Sequence, residues 1–252
     1  MKGIKIIKKL VNSSFNLLGY RISTAKLPKD MDRGFVHLYE RCKSYTLTSK
    51  ERMFALYKAV QYVVDSGKKG ALVECGVWKG GSAMLMAYSL KAKGDAGRDL
   101  YLYDTFTGMT KPTEKDRFAY NNSSTLKIWH SQNKKDHNDW AYAPFKEVRK
   151  NMKSTRYPPD KIKYVKGKVE DTLPKTAPSK ISLLRLDTDW YESTYHELKY
   201  LYPRLVKGGV LIIDDYGFFK GAREPVEQYF SEKNISILLN RIDHSGRIAV
   251  KA

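Results

Sequence analysis

Apolar residues along this chain follow two rhythms. Short, largely apolar runs at Ala71–Cys75, Leu100–Tyr103, Ile181–Leu186 and Val210–Ile213 have the length and flanking turns of strands buried on both faces. Lys163–Val165 is a shorter candidate of the same kind. Elsewhere apolar positions recur every three or four residues, which puts them on one face of a helix. Met53, Leu56, Tyr57, Val60 and Val63 form such a face behind an N-cap at Thr48 or Ser49, and the helix stops at Ser66–Gly67. Similar patterns run from about Ser82, over 144–152, over 190–202 and over 224–233. Strands alternating with helices predict an α/β domain around a parallel sheet. Ile235–Ile242 and Arg247–Val250, joined near His244–Gly246, read as a closing hairpin.

Two stretches break the alternation. Residues 2–18 put Ile4, Ile7, Val11, Phe15 and Leu18 on one helical face and Lys2, Lys5 and Lys9 on the other. Such a basic amphipathic helix suits an anionic membrane surface; packing on the domain or on a second subunit is its plainer use. Residues 107–160 are too long for a simple connection after the second strand and read as a lid over a site.

Charge sharpens both readings. The net charge is +19, from 46 Lys and Arg against 27 Asp and Glu. Residues 1–29 hold seven bases and no acid; residues 105–168 hold fifteen bases and six acids. A field of that sign draws anions, whether phosphorylated substrates, acidic lipids or nucleic acid. No apolar run approaches a membrane span, and the N-terminus carries no cleavable signal pattern. Cys42 and Cys75 make no disulfide framework. The expected location is the cytoplasm, with residues 2–18 suited to a peripheral position at the inner membrane surface.

The chemistry sits at the strand ends. Ile181–Leu186 runs into Asp187 and Asp189, and Val210–Ile213 into Asp214 and Asp215. Ligands of parallel sheets bind outside the carboxyl ends of the strands, so these acids should converge. Crowded carboxylates repel one another unless a cation sits among them, and all-oxygen ligands suit Mg²⁺. No His or Cys falls at zinc-ligand spacing. Asp189, just before a helix, also fits an N-cap. VECGVWKGGS at 73–82 sets an acid and glycines between a strand and a helix, where a ligand can approach the backbone closely. It matches neither GxGxxG nor the P-loop. Asp104 ends the second strand, where such folds bind ribose hydroxyls. A ligand with a ribose and no pyrophosphate, such as S-adenosylmethionine, fits that pair.

Taken in order, VECGVWKGGS, DTF at 104–106, EDTLP at 170–174, LRLDTDWYEST at 184–194, GGVLIIDDYG at 209–217 and GAR at 221–223 closely resemble the macrocin/mycinamicin-type O-methyltransferase family. The resemblance covers roughly residues 42–250. It implies a class I methyltransferase (Rossmann-like) fold, with a seven-stranded, mostly parallel sheet, helices on both faces and an antiparallel last strand. Residues 1–34 become an N-terminal extension and 35–252 the methyltransferase domain. The implied cofactors are S-adenosylmethionine and Mg²⁺, and the implied acceptor is a sugar or glycoside hydroxyl; a homo-oligomer is expected. The family's roles fall on Asp187, Asp214 and Asp215 as metal ligands and on Glu192 near the substrate. Glu74, Gly76, Val77, Trp78 and Ser82 match the cofactor loop, Asp104 the ribose contact, Lys168 and Val169 the adenine flanks, and Thr46 a contact from the N-terminal helical region. The basic lid has no close counterpart in the family, which opens the acceptor to anionic, lipid-linked or nucleotide-linked sugars.

Methyl transfer from a sulfonium to a hydroxyl is an in-line displacement, and an alcohol attacks poorly until it loses its proton. Mg²⁺ would acidify the hydroxyl and a carboxylate would accept the proton. Asp187 is the first candidate base, with His130 or His137 of the lid next. Three readings compete. A catechol-type O-methyltransferase shares the metal chemistry but calls for a neutral, aromatic lid. A nucleic-acid methyltransferase would carry an Asn/Asp-Pro-Pro-Tyr/Phe motif where this chain has LDTDW, so nucleic acid is not an expected partner. A non-catalytic basic protein binding anions or membranes is at odds with acids kept at both strand ends.

Overall fold

A computed structural model of the chain describes residues 28–252. The helix expected at 2–18 lies outside the described residues. Arg33–Ala252 form one compact unit. Two helices, α1 (Arg33–Cys42) and α2 (Lys50–Asp65), precede the sheet. Then follow β1 (Ala71–Cys75), α3 (Gly81–Ala92) and β2 (Leu100–Asp104). The lid carries α4 (Leu126–Gln132) and α5 (Phe145–Ser154). The second half runs β3 (Ile162–Lys166), α6 (Val169–Thr172), β4 (Ile181–Leu186), α7 (Tyr191–Leu201), β5 (Leu205–Ile213), α8 (Lys220–Glu232), β6 (Asn240–Arg241) and β7 (Arg247–Val250).

The sheet has seven strands in the order β3-β2-β1-β4-β5-β7-β6. β1 to β5 are parallel, and β7 enters antiparallel between β5 and β6. This is the expected class I methyltransferase topology. Its order reverses at β1, so the first βα turn faces the crevice where such sheets bind ligands. β1 and β4 are buried at every position, Glu74 and Arg185 included. Val73, Leu184 and Leu211 pack with Leu198 of α7 and Val226 of α8 in the main core.

The local signals that set α2 hold: Ser49 is its N-cap, and its hydroxyl accepts from Arg52 N. Two expectations fail. The strand read at Ile235–Ile242 shrinks to Asn240–Arg241, because β7 offers partners to those two residues alone. Ile235, Ile237 and Leu239 pack against the core instead of pairing. Asp189 is not the cap of α7. The N-cap position falls on Trp190, and Asp189 has φ +67°. The first-turn amide of Tyr191 donates to Asp116 Oδ1 of the lid at 2.7 Å, so a carboxylate 75 residues away does the capping. No helix among the described residues is long and apolar enough to cross a membrane.

Candidate active site

The carboxyl ends of β1 to β5 open into one cavity of about 550 Å³. Thr46, Glu74, Gly76, Val77, Trp78, Ser82, Asp104, Lys168, Val169, Asp187, Asp214 and Asp215 all line it. Glu192 does not. Its carboxylate is exposed on the first turn of α7 and pairs with Lys115 at 3.4 Å. Glu192, the expected substrate contact, thus stands outside the lining of the cavity.

The β1 side of the cavity is built from close backbone approach. Gly76 has φ +82°, and a Cβ there would stand 1.9 Å from the Asp187 carbonyl. Only glycine lets the β1 turn reach the β4 turn. A Cβ on Gly81 would meet the Tyr45 carbonyl at 2.6 Å, so the same economy of side chain brings Thr46 to the cavity wall. Asp104 holds the loop from below. Its Oδ2 accepts from Val77 N at 2.7 Å and Trp78 N at 3.1 Å, and its Oδ1 accepts from Phe106 N at 2.7 Å. Glu74 is fully buried, and its Oε2 has no hydrogen-bond partner among the described residues. Burial pushes the Glu74 carboxyl up to about 7 against the pull of Arg185. A ligand that brings a donor or a cation to this wall would satisfy that oxygen.

The acidic half is built from opposed charges. Carboxylate oxygens of Asp187, Asp214 and Asp215 lie within 4.8 Å of one another. Arg185 is buried in the middle of β4. It donates to Glu74 Oε1 at 2.6 Å, Asp187 Oδ2 at 2.8 Å, Asp214 Oδ1 at 2.6 Å and Thr48 Oγ1 at 2.8 Å. Arg52 of α2 pairs with the other oxygen of Asp214 and stands 3.8 Å from Asp215. Ser245 donates to Asp215 Oδ1 at 3.2 Å. Burial raises Asp187, Asp189 and Asp215 well above the usual carboxylate range, and their mutual repulsion adds to it. With all four ionised, four aspartates against two guanidiniums leave the cluster short of positive charge. A divalent cation with oxygen preference fits that deficit and that donor set.

The lid turns an apolar face to the cavity. Met109, Phe118, Ile128 and Trp140 line it, and no lysine or arginine of residues 107–160 does. Trp140, Trp190 and Phe219 pack edge to face, with centroids 5.5 Å and 5.3 Å apart. The lid is strapped down by Ala119 N donating to Phe218 O at 2.8 Å and Lys220 N donating to Arg117 O at 2.8 Å. The basic residues of the lid stand outside that lining, and Lys111, Lys134 and Lys135 border a second cleft. Neither lid histidine reaches the acids. His137 bonds Asp136 and Asp139 and stacks on Tyr142, and His130 is exposed against Trp129.

The macrocin O-methyltransferase (TylF) family model matches residues 14–250. The chain belongs to this family. Among relatives, the 8-demethyl-8-(2,3-dimethoxy-alpha-L-rhamnosyl)-tetracenomycin-C 4'-O-methyltransferase of Streptomyces olivaceus is 34% identical over 81% of this chain and 74% of its own length. The mycinamicin III 3''-O-methyltransferase of Micromonospora griseorubida is 29% identical over 81% and 77%. The solved O-methyltransferase NovP superposes with a TM-score of 0.72 at 27% identity, covering 82% of each chain.

In this macrocin O-methyltransferase family member, sequence reading missed Arg52, Arg185, Asp116 and His244. Arg185 had a signal. A charge inside the run ISLLRL, buried on both faces, demands partners. Arg52 looked like the solvent face of a helix. Asp116 looked like one charge among many in the lid. His244, which lines the cavity, looked like part of a hairpin turn.

Proposed function

We propose that this O-methyltransferase moves the methyl group of S-adenosylmethionine to a hydroxyl of a sugar or glycoside, with Mg²⁺ held by Asp187, Asp214 and Asp215. One observation carries the reading: an acidic cluster short of positive charge and a glycine-turn donor wall meet in one cavity, joined by Arg185. The tetracenomycin and mycinamicin relatives, named for sugar O-methylation, support the acceptor class.

When bound, Mg²⁺ supplies a Lewis acid that favours loss of the acceptor's proton. The sulfonium donor supplies an electrophilic methyl carbon. The chain's own residues do the rest. Glu74 presents its unpartnered oxygen to the donor, and Gly76, Val77 and Asp104 shape the wall on which its ribose lies. Lys168 and Val169 flank its base. Asp187 accepts the proton of the acceptor hydroxyl. Trp140, Phe118 and Phe219 exclude water and offer flat apolar faces to a sugar ring.

An aromatic diol is the second reading. The neutral aromatic lining of the lid is what a catechol-type acceptor calls for. An acceptor screen with labelled S-adenosylmethionine, run with and without EDTA, tests both. The expected result is label on a glycoside, abolished by EDTA and restored by Mg²⁺. Label on catechols alone would replace the first reading by the second. Transfer that persists in EDTA would sink the metal assignment.

A further inference from the structure

Three arginines stand together beside the two turns, at Asp214–Asp215 and at His244–Ser245, that line the cavity on the side of the acidic cluster. Arg241 and Arg247 are directly opposite one another across β6 and β7. Like charges in that register are destabilising unless something offsets them. Arg223, on the first turn of α8, joins them: its guanidinium lies 5.5 Å from the centre of the Tyr216 ring, and that of Arg247 lies 4.9 Å from the same ring. None of the three has a carboxylate within ion-pair distance among the described residues. The nearby acids are engaged elsewhere: Glu227 accepts from Tyr216 Oη at 2.7 Å, and Asp243 accepts from Ser49, Arg52 and two backbone amides. Glu224 is exposed on α8. Burial, then the charges of Arg241 and Arg223, pull Arg247 below the ordinary arginine range.

The cluster is also held in place. Arg223 Nε donates to Tyr216 O at 3.2 Å, Arg241 Nε to Asp243 O at 2.7 Å, and Arg247 to Gly246 O at 2.9 Å and Ser245 O at 3.3 Å. Each guanidinium keeps donors beyond the ones so used. The anchoring segments are those of the site. Tyr216 follows Asp215, and Gly217 N donates to Ser245 O at 2.9 Å. A Cβ on Gly217 would stand 2.1 Å from His244 O, so the β5 turn and the β6–β7 turn are pressed together. His244 and Ser245 line the cavity itself.

We infer that Arg223, Arg241 and Arg247 bind the phosphate of a phosphorylated glycoside acceptor, holding it at the rim while its sugar enters beside Asp187 and Asp215. The inference rests on the sugar O-methylation reading of the cavity. Planar guanidinium forks match phosphate oxygens, and two or more of them take a multiply charged group better than a neutral one. The phosphate could belong to a nucleotide-linked sugar or to a lipid-linked one, and both present the same chemistry to the arginines.

Calorimetric titration of the full-length protein with inorganic pyrophosphate, in metal-free buffer, tests the site without turnover. Wild type is expected to bind saturably. Arg241→Gln, at an exposed position, is expected to weaken binding about tenfold, and Arg241→Glu to abolish it, with S-adenosylmethionine affinity as the control for folding. No binding by wild type, or binding unchanged in Arg241→Glu, overturns the inference. Methyl transfer to a nucleoside-diphosphate sugar, a polyprenyl-diphosphate sugar and the neutral methyl glycoside then separates the sources. For whichever diphosphate is accepted, KM should rise about tenfold in Arg241→Gln at unchanged kcat, with the neutral glycoside unaffected. An equal rise for the neutral glycoside refutes the phosphate contact. Arginine-dependent pyrophosphate binding without methyl transfer to any sugar keeps the anion site and sinks the sugar-methylation reading.

Discussion

The two halves of the cavity are held by different means. The glycine-turn half, proposed for the methyl donor, is a matter of space: Gly76 and Gly81 lack a Cβ where another backbone passes, and Asp104 is tied down by three amides. The acidic half is a matter of charge: Asp187, Asp189, Asp214 and Asp215 crowd together around Arg52 and Arg185. A half fixed by sterics tolerates changes of charge nearby. A half fixed by charge tolerates changes of shape but not the loss of a partner. Arg185 is the bridge, since one guanidinium bonds Glu74 on one side and Asp187 and Asp214 on the other.

The largest expected effect separates chemistry from donor binding. Asp187→Asn should lower turnover about 10²- to 10⁴-fold while S-adenosylmethionine affinity changes little. Equal losses of turnover and donor affinity, measured by single-turnover assay and calorimetry, would mean the halves are not independent. Removing the bridge should cost fold stability. Arg185→Met leaves buried Glu74 and half-buried Asp187 without their partner and Asp214 with Arg52 alone, and urea unfolding should report a loss of about 3–5 kcal/mol. A loss below about 1 kcal/mol would show that the carboxylates simply take up protons.

On the steric side, Gly76→Ala should cost about 1–3 kcal/mol from its left-handed backbone alone, with the clash against the Asp187 carbonyl adding to that, and weaken donor binding. Thermal unfolding and donor titration check it together. Normal values in both would remove space as the organising principle of that half. The smallest effect sharpens the charged side. Burial raises the Asp243 carboxyl, but Ser49, the amides of Gly246 and Ser245, and Arg52 outweigh it and hold it at about 2. A carboxyl held below its unfolded value of 3.8 contributes stability that is present above that value and lost as pH falls toward 2. The stability gap between wild type and Asp243→Asn should therefore close on acidification through that window. A gap that stays constant would mean Asp243 acts by shape alone.

Much of this frame is legible without coordinates. The largely apolar runs mark β1, β2, β4 and the end of β5, because a strand buried on both faces is apolar at most of its positions, and the exceptions, Glu74 and Arg185, are the charges that pair with each other in the site. Ser49 marks the start of α2, because capping is a contact between residues three apart. Failures cluster where the partner is distant. Asp189 looked like a cap, yet Asp116 caps α7 across the lid contact. Ile235–Leu239 looked like a strand, yet pairing needs a neighbour that β7 does not extend to provide.

The sequence by itself determined the order of strands and helices, the glycine turn after β1 and the presence of acids at two strand ends. Each of these is set by residues within a few positions of one another. Only the tertiary structure decided which charges meet. Arg52 from α2 and Arg185 from β4 reach the same carboxylate of Asp214, and the lid turns its aromatic face inward and its lysines away. Charge acts through space rather than along the chain, and a basic stretch does not state which side of itself will face a site.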